Sequence, residues 1–160
     1  ARTLMQSPND RAVLIAAGTA LLLVILQAFP VSESLAQASP LAGTRWQLVA
    51  IQSMDDSTYT PRDSSDYTLA FNADHSFRIR SACNQVQGNW TAEESSQLTF
   101  SEMTGTQAVC LDDTLDERYR AQFEWVRSYV IKDGHLFLAT MADGSIIEFE
   151  PAGEGPDGRE

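Results

Sequence analysis

Positive charge, cysteine and histidine are all scarce in this sequence. Its 160 residues carry 11 lysines and arginines against 22 aspartates and glutamates, a formal net charge of −11, and Lys132 is the single lysine. A phosphate backbone needs a cationic face that releases counterions, so this balance excludes nucleic acid as a partner. It also disfavours a peripheral dock on anionic lipid. The two cysteines and two histidines follow no zinc-ligand spacing. There is no phosphate-cradling glycine loop, no D-x-D-x-D-G calcium loop, and no nucleophile elbow beside His75 or His135. Those histidines read as solvated turn residues. Asp112, Asp113, Asp116 and Glu117 cluster, but capping of a helix that follows accounts for them. No catalytic residue, cofactor or metal ligand is therefore expected, and the chain reads as a non-enzyme. Charged residues make up only 21% and aromatic residues are spread along the chain, which excludes wholesale disorder.

What is present is unevenly distributed. No charged residue occurs from Ala12 to Ser32, and residues 12–29 read AVLIAAGTALLLVILQAF, with Arg2 and Arg11 on the N-terminal side. Eighteen helical residues at about 1.5 Å each reach roughly 27 Å, enough for a bilayer core. The positive-inside rule then makes residues 1–11 a cytoplasmic stub. The competing reading is a secretory signal peptide with a small-x-small cleavage site at Ser34-Leu35-Ala36 or Ala36-Gln37-Ala38. The chain opens on Ala1, as after removal of an initiator Met before a small residue, and the retained anchor is the expectation adopted. Both readings place the remainder outside the cytoplasm. The first cysteine is Cys83, too far on to take a lipid anchor. Residues 30–39 form a polar linker, residues 40–151 a single domain, and residues 152–160 an acidic tail rich in Gly and Pro. The domain holds 17 acids and 8 bases, a net charge of −9.

Period-two alternation dominates the domain, as half-buried strands require. Strands are predicted at 44–52, 67–71, 77–79, 84–90 and 97–100, with Ser53–Asp66 a polar loop and Asn72–His75 a hairpin turn. Leu115, Tyr119, Phe123, Val126 and Val130 then mark one face of a helix over 114–129, opened by a capping box at Thr114–Glu117. Strands at 129–132, 135–139 and 145–150 close the domain, joined by Asp133-Gly134 and Asp143-Gly144, dipeptides that supply positive φ for tight turns. The predicted fold is mainly β: an antiparallel, barrel-like sheet of about eight strands with one helix packed against it.

The most distinctive stretch is Ala82-Cys83-Asn84-Gln85-Val86-Gln87-Gly88-Asn89-Trp90, followed by Thr106-Gln107-Ala108-Val109-Cys110. With Leu41–Trp46 before it, and Leu136–Leu138 and Ile147–Phe149 after it, the order and spacing resemble the META domain family, the HslJ-like group. Two positions depart from that pattern: Ala82 stands where the family usually has Gly, and Leu111 follows Cys110 where Pro is common. The resemblance implies a small β fold with one helix, usually exported and linked in general terms to envelope stress. It implies no catalytic residue. Trp46, Asn84, Gly88, Trp90 and Thr106 are its structural motif positions. Asn84 and Gly88 read as shapers of a turn or bulge, and Trp46, Trp90 and Trp125 as core or rim residues. In an oxidising compartment Cys83 and Cys110 are candidates for a disulfide, removing roughly 3–4 kcal/mol of unfolded-state freedom. The alternative is a pair of buried thiols acting as small hydrophobes.

These readings lead to one expected function and two alternatives. The expectation is a non-catalytic, membrane-anchored periplasmic domain serving as a structural or accessory subunit of an integral-membrane complex, its partners being integral-membrane subunits and its membrane contact residues 12–29. The alternatives are a secreted HslJ-like stress protein and a small-molecule carrier using the barrel interior. Barrels of this size are generally filled by side chains, which disfavours the carrier.

Overall fold

The computed structural model describes residues 38–153 apart from 94, 112–114 and 142–143. The candidate anchor at 12–29, the capping-box residue Thr114, Asp112, Asp113 and Asp143, and the tail beyond Gly153 lie outside the described residues. Among those described, no helix is long and apolar enough to cross a membrane.

The strands run in chain order as β1 (Thr44–Ser53), β2 (Thr58–Tyr59), β3 (Tyr67–Phe71), β4 (Ser76–Ser81), β5 (Asn84–Ala92) and β6 (Leu98–Gly105). After the helix α1 (Leu115–Gln122) come β7 (Val126–Lys132), β8 (His135–Thr140) and β9 (Ser145–Pro151). All pairings are antiparallel, in the order β6-β5-β4-β3-β1-β9-β8-β7, with β2 hydrogen-bonded to β1 beside this path. The sheet curls into a half-barrel. An isolated bridge between Gln97 and Ser128, with the Tyr129 amide donating to the Ser96 carbonyl at 2.9 Å, brings the edge strands together at one end.

The alternation seen in the sequence becomes the inside of this curl. Leu48 of β1, Leu69 and Phe71 of β3, Phe77 and Ile79 of β4, Leu136 and Leu138 of β8, and Ile147 and Phe149 of β9 are all buried. Helix α1 covers the concave face with Leu115 and Tyr119, and Phe123 follows from a 3-10 turn. A chain of aromatic rings threads the interior. Trp90 meets Phe71 edge-on at 5.2 Å, Phe71 lies 5.9 Å from Phe100, and Phe100 meets Phe123 at 5.2 Å. Phe123 then meets Tyr119 at 5.1 Å, and Tyr119 meets Tyr67 at 5.3 Å. Edge-to-face pairs of this kind add roughly 0.5–1.5 kcal/mol each beyond the burial of their area.

The apolar spacing predicts a helix to Tyr129, but α1 ends at Gln122 and Val126 already belongs to β7. Leu115, Tyr119, Phe123 and Val126 are all buried as the helical spacing demanded, yet Val130 is 54% exposed. A register shift between Val126 and Ser128 turns both Val126 and Tyr129 inward, so a bulged strand imitates the last helical interval. Ser53–Asp66 is likewise not loop throughout: β2 and a 3-10 turn at Ser64–Asp66 interrupt it, and Arg118 of the helix lies 4.0 Å over the Tyr59 ring. The turns carry the backbone their residues suit. His75 has φ +66°, and Asp133 and Gly134 have φ +53° and +81°, the paired positive values of a tight hairpin.

Candidate functional site

Strands β4 and β5 meet through a two-residue turn, Ala82-Cys83, with Ser81 paired to Asn84 across it. Cys83 is disulfide-bonded to Cys110, 27 residues later, with Cα atoms 5.6 Å apart. The bridge pins the segment after β6 against this turn; Cys83 is exposed and Cys110 half-buried. Ala82 itself has φ +49°, a left-handed conformation that costs a Cβ-bearing residue about 1–2 kcal/mol. That conformation explains why glycine suits this position.

Beneath the disulfide lies a buried polar node. Asn84 is fully buried and uses all four of its hydrogen-bonding positions. Its Nδ2 donates to the Ala108 carbonyl and to Asp116 Oδ2, each at 2.9 Å. Its Oδ1 accepts from the Thr106 hydroxyl and from the Ala108 amide, each at 2.8 Å. Thr106 Oγ1 in turn accepts from the Gln85 amide at 3.0 Å. Asp116, 6% exposed, also accepts from Ser81 Oγ at 2.7 Å and from Arg120 in a two-pronged contact at 3.0 and 2.8 Å. Burial pushes the Asp116 carboxyl up, but hydrogen bonds from Arg120 and Ser81, the Arg120 charge and Asn84 outweigh it and hold the group below the ordinary carboxylate range. The Arg120 guanidinium, bonded to Asp116, is held above its usual value.

The structure thus brings Cys83, Cys110, Asn84 and Thr106 into one cluster. Gly88 stands apart, further along β5 at a register shift between Gln87 and Asn89. A Cβ there would lie 2.5 Å from the Ser101 carbonyl oxygen and 2.8 Å from Phe77 Cε1, so only glycine lets β5 and β6 approach. Trp90 is fully buried, Trp46 is buried with its Nε1 donating to Thr44 Oγ1 at 2.8 Å, and Trp125 is 48% exposed. His135 bonds Glu148 through Nδ1 at 2.8 Å, and the exposed His75 ring lies 5.1 Å from Trp90. Among the described residues no group of three or more His, Cys, Asp or Glu is arranged to hold a metal ion.

Sequence reasoning missed Ser81, Asp116 and Arg120 as parts of this node. Asp116 stands in the first turn of α1, as the helix-start reading expects, and its oxygens also accept from Ser81, Asn84 and Arg120. The available signal was the Asp116/Arg120 pair at i,i+4 on the first helical turns, which reads equally as an exposed ion pair.

A curled antiparallel half-barrel, covered by one short helix and stapled at a Cys-Asn turn, defines a class of small disulfide-pinned β domains. The chain belongs to the META domain family, whose model matches residues 39–154. No curated protein matches the sequence. Among solved structures it is similar to the NMR structure of a protein from Burkholderia xenovorans, with a TM-score of 0.59 and 17% identity over 70% of this chain and 83% of that one. It is also similar to the crystal structure of a DUF4847 family protein from Bacteroides vulgatus, with a TM-score of 0.52 and 12% identity over 72% of this chain and 97% of that one. At these identities the likeness is one of fold.

Proposed function

We propose that this META domain is a non-catalytic module, held at the outer face of a membrane by residues 12–29, that serves as an accessory subunit of an integral-membrane assembly. The observation that carries the reading is how the polar residues gathered by the fold are used. Asn84, Thr106, Ser81, Asp116 and Arg120 bond one another and lock the β4–β5 turn to the helix, which is the work of a scaffold. The disulfide supports an oxidising compartment. A surface for a partner is at hand on the outer face of β7–β9. There Val130 pairs with Phe137 and Ala139 with Ile146, and Val130 and Ile146 are 54% and 42% exposed.

Purification of the full chain from its source membrane in mild detergent, with cross-linking and mass spectrometry, tests the proposal. The expected result is an intact residue 12–29 segment and co-purifying integral-membrane subunits, lost when Val130→Glu and Ile146→Glu are combined. A mature chain beginning near Gln37 or Ser39 and running as a monomer would overturn it in favour of a secreted envelope stress protein.

A further inference from the structure

We infer that the outer face of β1, β3 and β4 is a binding site for a small phosphate monoester. The sheet register aligns Arg45 of β1 with Ala70 of β3, Ala70 with Arg78 of β4, and Arg78 with Gln87 of β5. These four residues form one row on the face opposite the core. One step along, Thr68 stands beside Arg80. With strands about 4.8 Å apart, Arg45 and Arg78 rise roughly 10 Å from each other across the single methyl group of Ala70. The result is a saddle with a small floor, a guanidinium on each side, and a third guanidinium at one end. A shallow groove of about 750 Å³ follows it, rimmed by Gly43 and by Ala152 and Gly153. That volume suits a small molecule.

The charge distribution sets this face apart. In a domain of net charge −9, three of the eight basic residues line one groove. Of the four other arginines of the domain, three have internal tasks and Arg62 stands off this row: Arg120 is bonded to Asp116, Arg118 lies on Tyr59, and Arg127 donates to the carbonyls of Glu124 and Val126. Arg45 and Arg78 are exposed and their guanidinium groups have no partner among the described residues. Arg80 is held by an exposed contact with Asp66 at 3.2 Å, from which a stronger ligand can draw it. The acids bordering the face keep their charge: Glu150 accepts from Gln47 at 2.7 Å, Glu102 accepts from Asn89, and Asp66 and Asp63 lie by Arg80, so the uncompensated positive charge is that of Arg45 and Arg78.

These features select the ligand. A carboxylate offers two oxygens and one charge, enough for one guanidinium fork. A phosphate monoester offers three oxygens and close to two charges, enough to engage Arg45 and Arg78 together, with Arg80 completing its neutralisation. The cationic area is only three side chains wide and lies within an acidic domain, so a long polyanion would meet repulsion beyond its edges. The half-buried Thr68 and the exposed Gln85 amide, both lining the groove, remain to bond the hydroxyl or amide groups of the esterified part.

The test is calorimetric and NMR titration of the full chain, in a phosphate-free maltoside detergent, with phenyl phosphate as probe and acetate as control. Saturable phenyl phosphate binding is expected, with amide shifts confined to Thr68, Ala70 and Arg78 and their neighbours. Affinity is expected to fall at least about tenfold in Arg45→Gln and in Arg78→Gln, and to stay unchanged in Arg62→Gln, which removes an arginine off this row. Acetate binding as tight as that of phenyl phosphate, equal affinity in wild type and Arg45→Gln, or no saturable binding would each overturn the proposal. So would binding to vesicles of phosphatidic acid without binding of phenyl phosphate. Because the readout is the arginine row and not membrane retention, its failure is distinct from failure of the accessory-subunit reading.

Discussion

The polar node under the disulfide and the aromatic interior beside it are both buried, yet they stabilise the fold by different means. In the node every hydrogen-bonding position of Asn84 is filled, and Asp116 is met by three side chains. In the interior the Trp90 indole nitrogen and the Tyr119 hydroxyl are buried without a hydrogen-bond partner among the described residues. Burial and the neighbouring Tyr67 push the Tyr119 phenol well above its usual value. The interior tolerates imperfect polar matching because dispersion and apolar burial there are large and non-directional. The node tolerates none, because its contribution comes from directed bonds among groups that are expensive to leave unpaired. One region supplies magnitude and the other supplies register.

The largest effect should come from the interior. Phe123 touches both Phe100 and Tyr119 and joins the helix to the sheet. Phe123→Ala removes that junction and leaves a cavity, with an expected loss of about 3–5 kcal/mol in chemical denaturation. A loss under about 1 kcal/mol would mean that the rings collapse freely around the gap, and the assignment of magnitude to the interior would fail.

Asn84→Ala should come next, at about 2–4 kcal/mol, because it orphans the Ala108 amide and carbonyl and takes a donor from Asp116. Unlike the core variant, it should also loosen the 106–111 segment, seen as faster amide exchange at Ala108 with the disulfide intact. The same node sets an acid limit. Asp116 titrates below its ordinary value of 3.8 when folded, so its stabilisation is complete above that value and is lost as pH falls through the lower folded one. Denaturation midpoints measured from pH 5 down to pH 2 should therefore fall more steeply for wild type than for Asp116→Asn. Parallel curves would remove the node from the acid response.

Much of this was readable from sequence, for local reasons. The strand at Tyr67–Phe71 follows from strict alternation and the turn residues Asn72 and Asp74, whose side chains hold Ser76. The Asp133-Gly134 turn follows from backbone preference. The node was only half visible, since Cys83, Asn84 and Thr106 carry the family spacing, whereas Ser81 and Asp116 acquire meaning only when α1 lands on the end of β4. The arginine row was not visible. Arg45 and Arg78 are 33 positions apart in the chain and become neighbours across Ala70 only through the register of three strands.

Ala82 offers a smaller test at the edge of the node. Its φ of +49° is one that glycine adopts freely. Ala82→Gly relieves strain of about 1–2 kcal/mol but returns part of it as extra freedom in the unfolded chain, for a net gain of roughly 0.5–1 kcal/mol. A net loss in equilibrium unfolding would show that the Ala82 methyl, which packs against the core cluster, contributes more than the backbone strain removes.

The smallest effect tests the comparison most sharply. Tyr119→Phe deletes a hydroxyl that has no hydrogen-bond partner among the described residues and keeps the ring contacts with Tyr67 and Phe123. Stability should be unchanged or rise by up to about 1 kcal/mol, since the desolvation cost of an unpaired hydroxyl disappears. The matching change in the node, Ser81→Ala, also deletes one buried hydroxyl, but one bonded to Asp116 Oδ1 at 2.7 Å, and should cost about 1.5–3 kcal/mol. The two variants remove the same atom type from the same depth. If Tyr119→Phe proved as damaging as Ser81→Ala, the interior would hold a directed polar contact of its own, and the division between magnitude and register would dissolve.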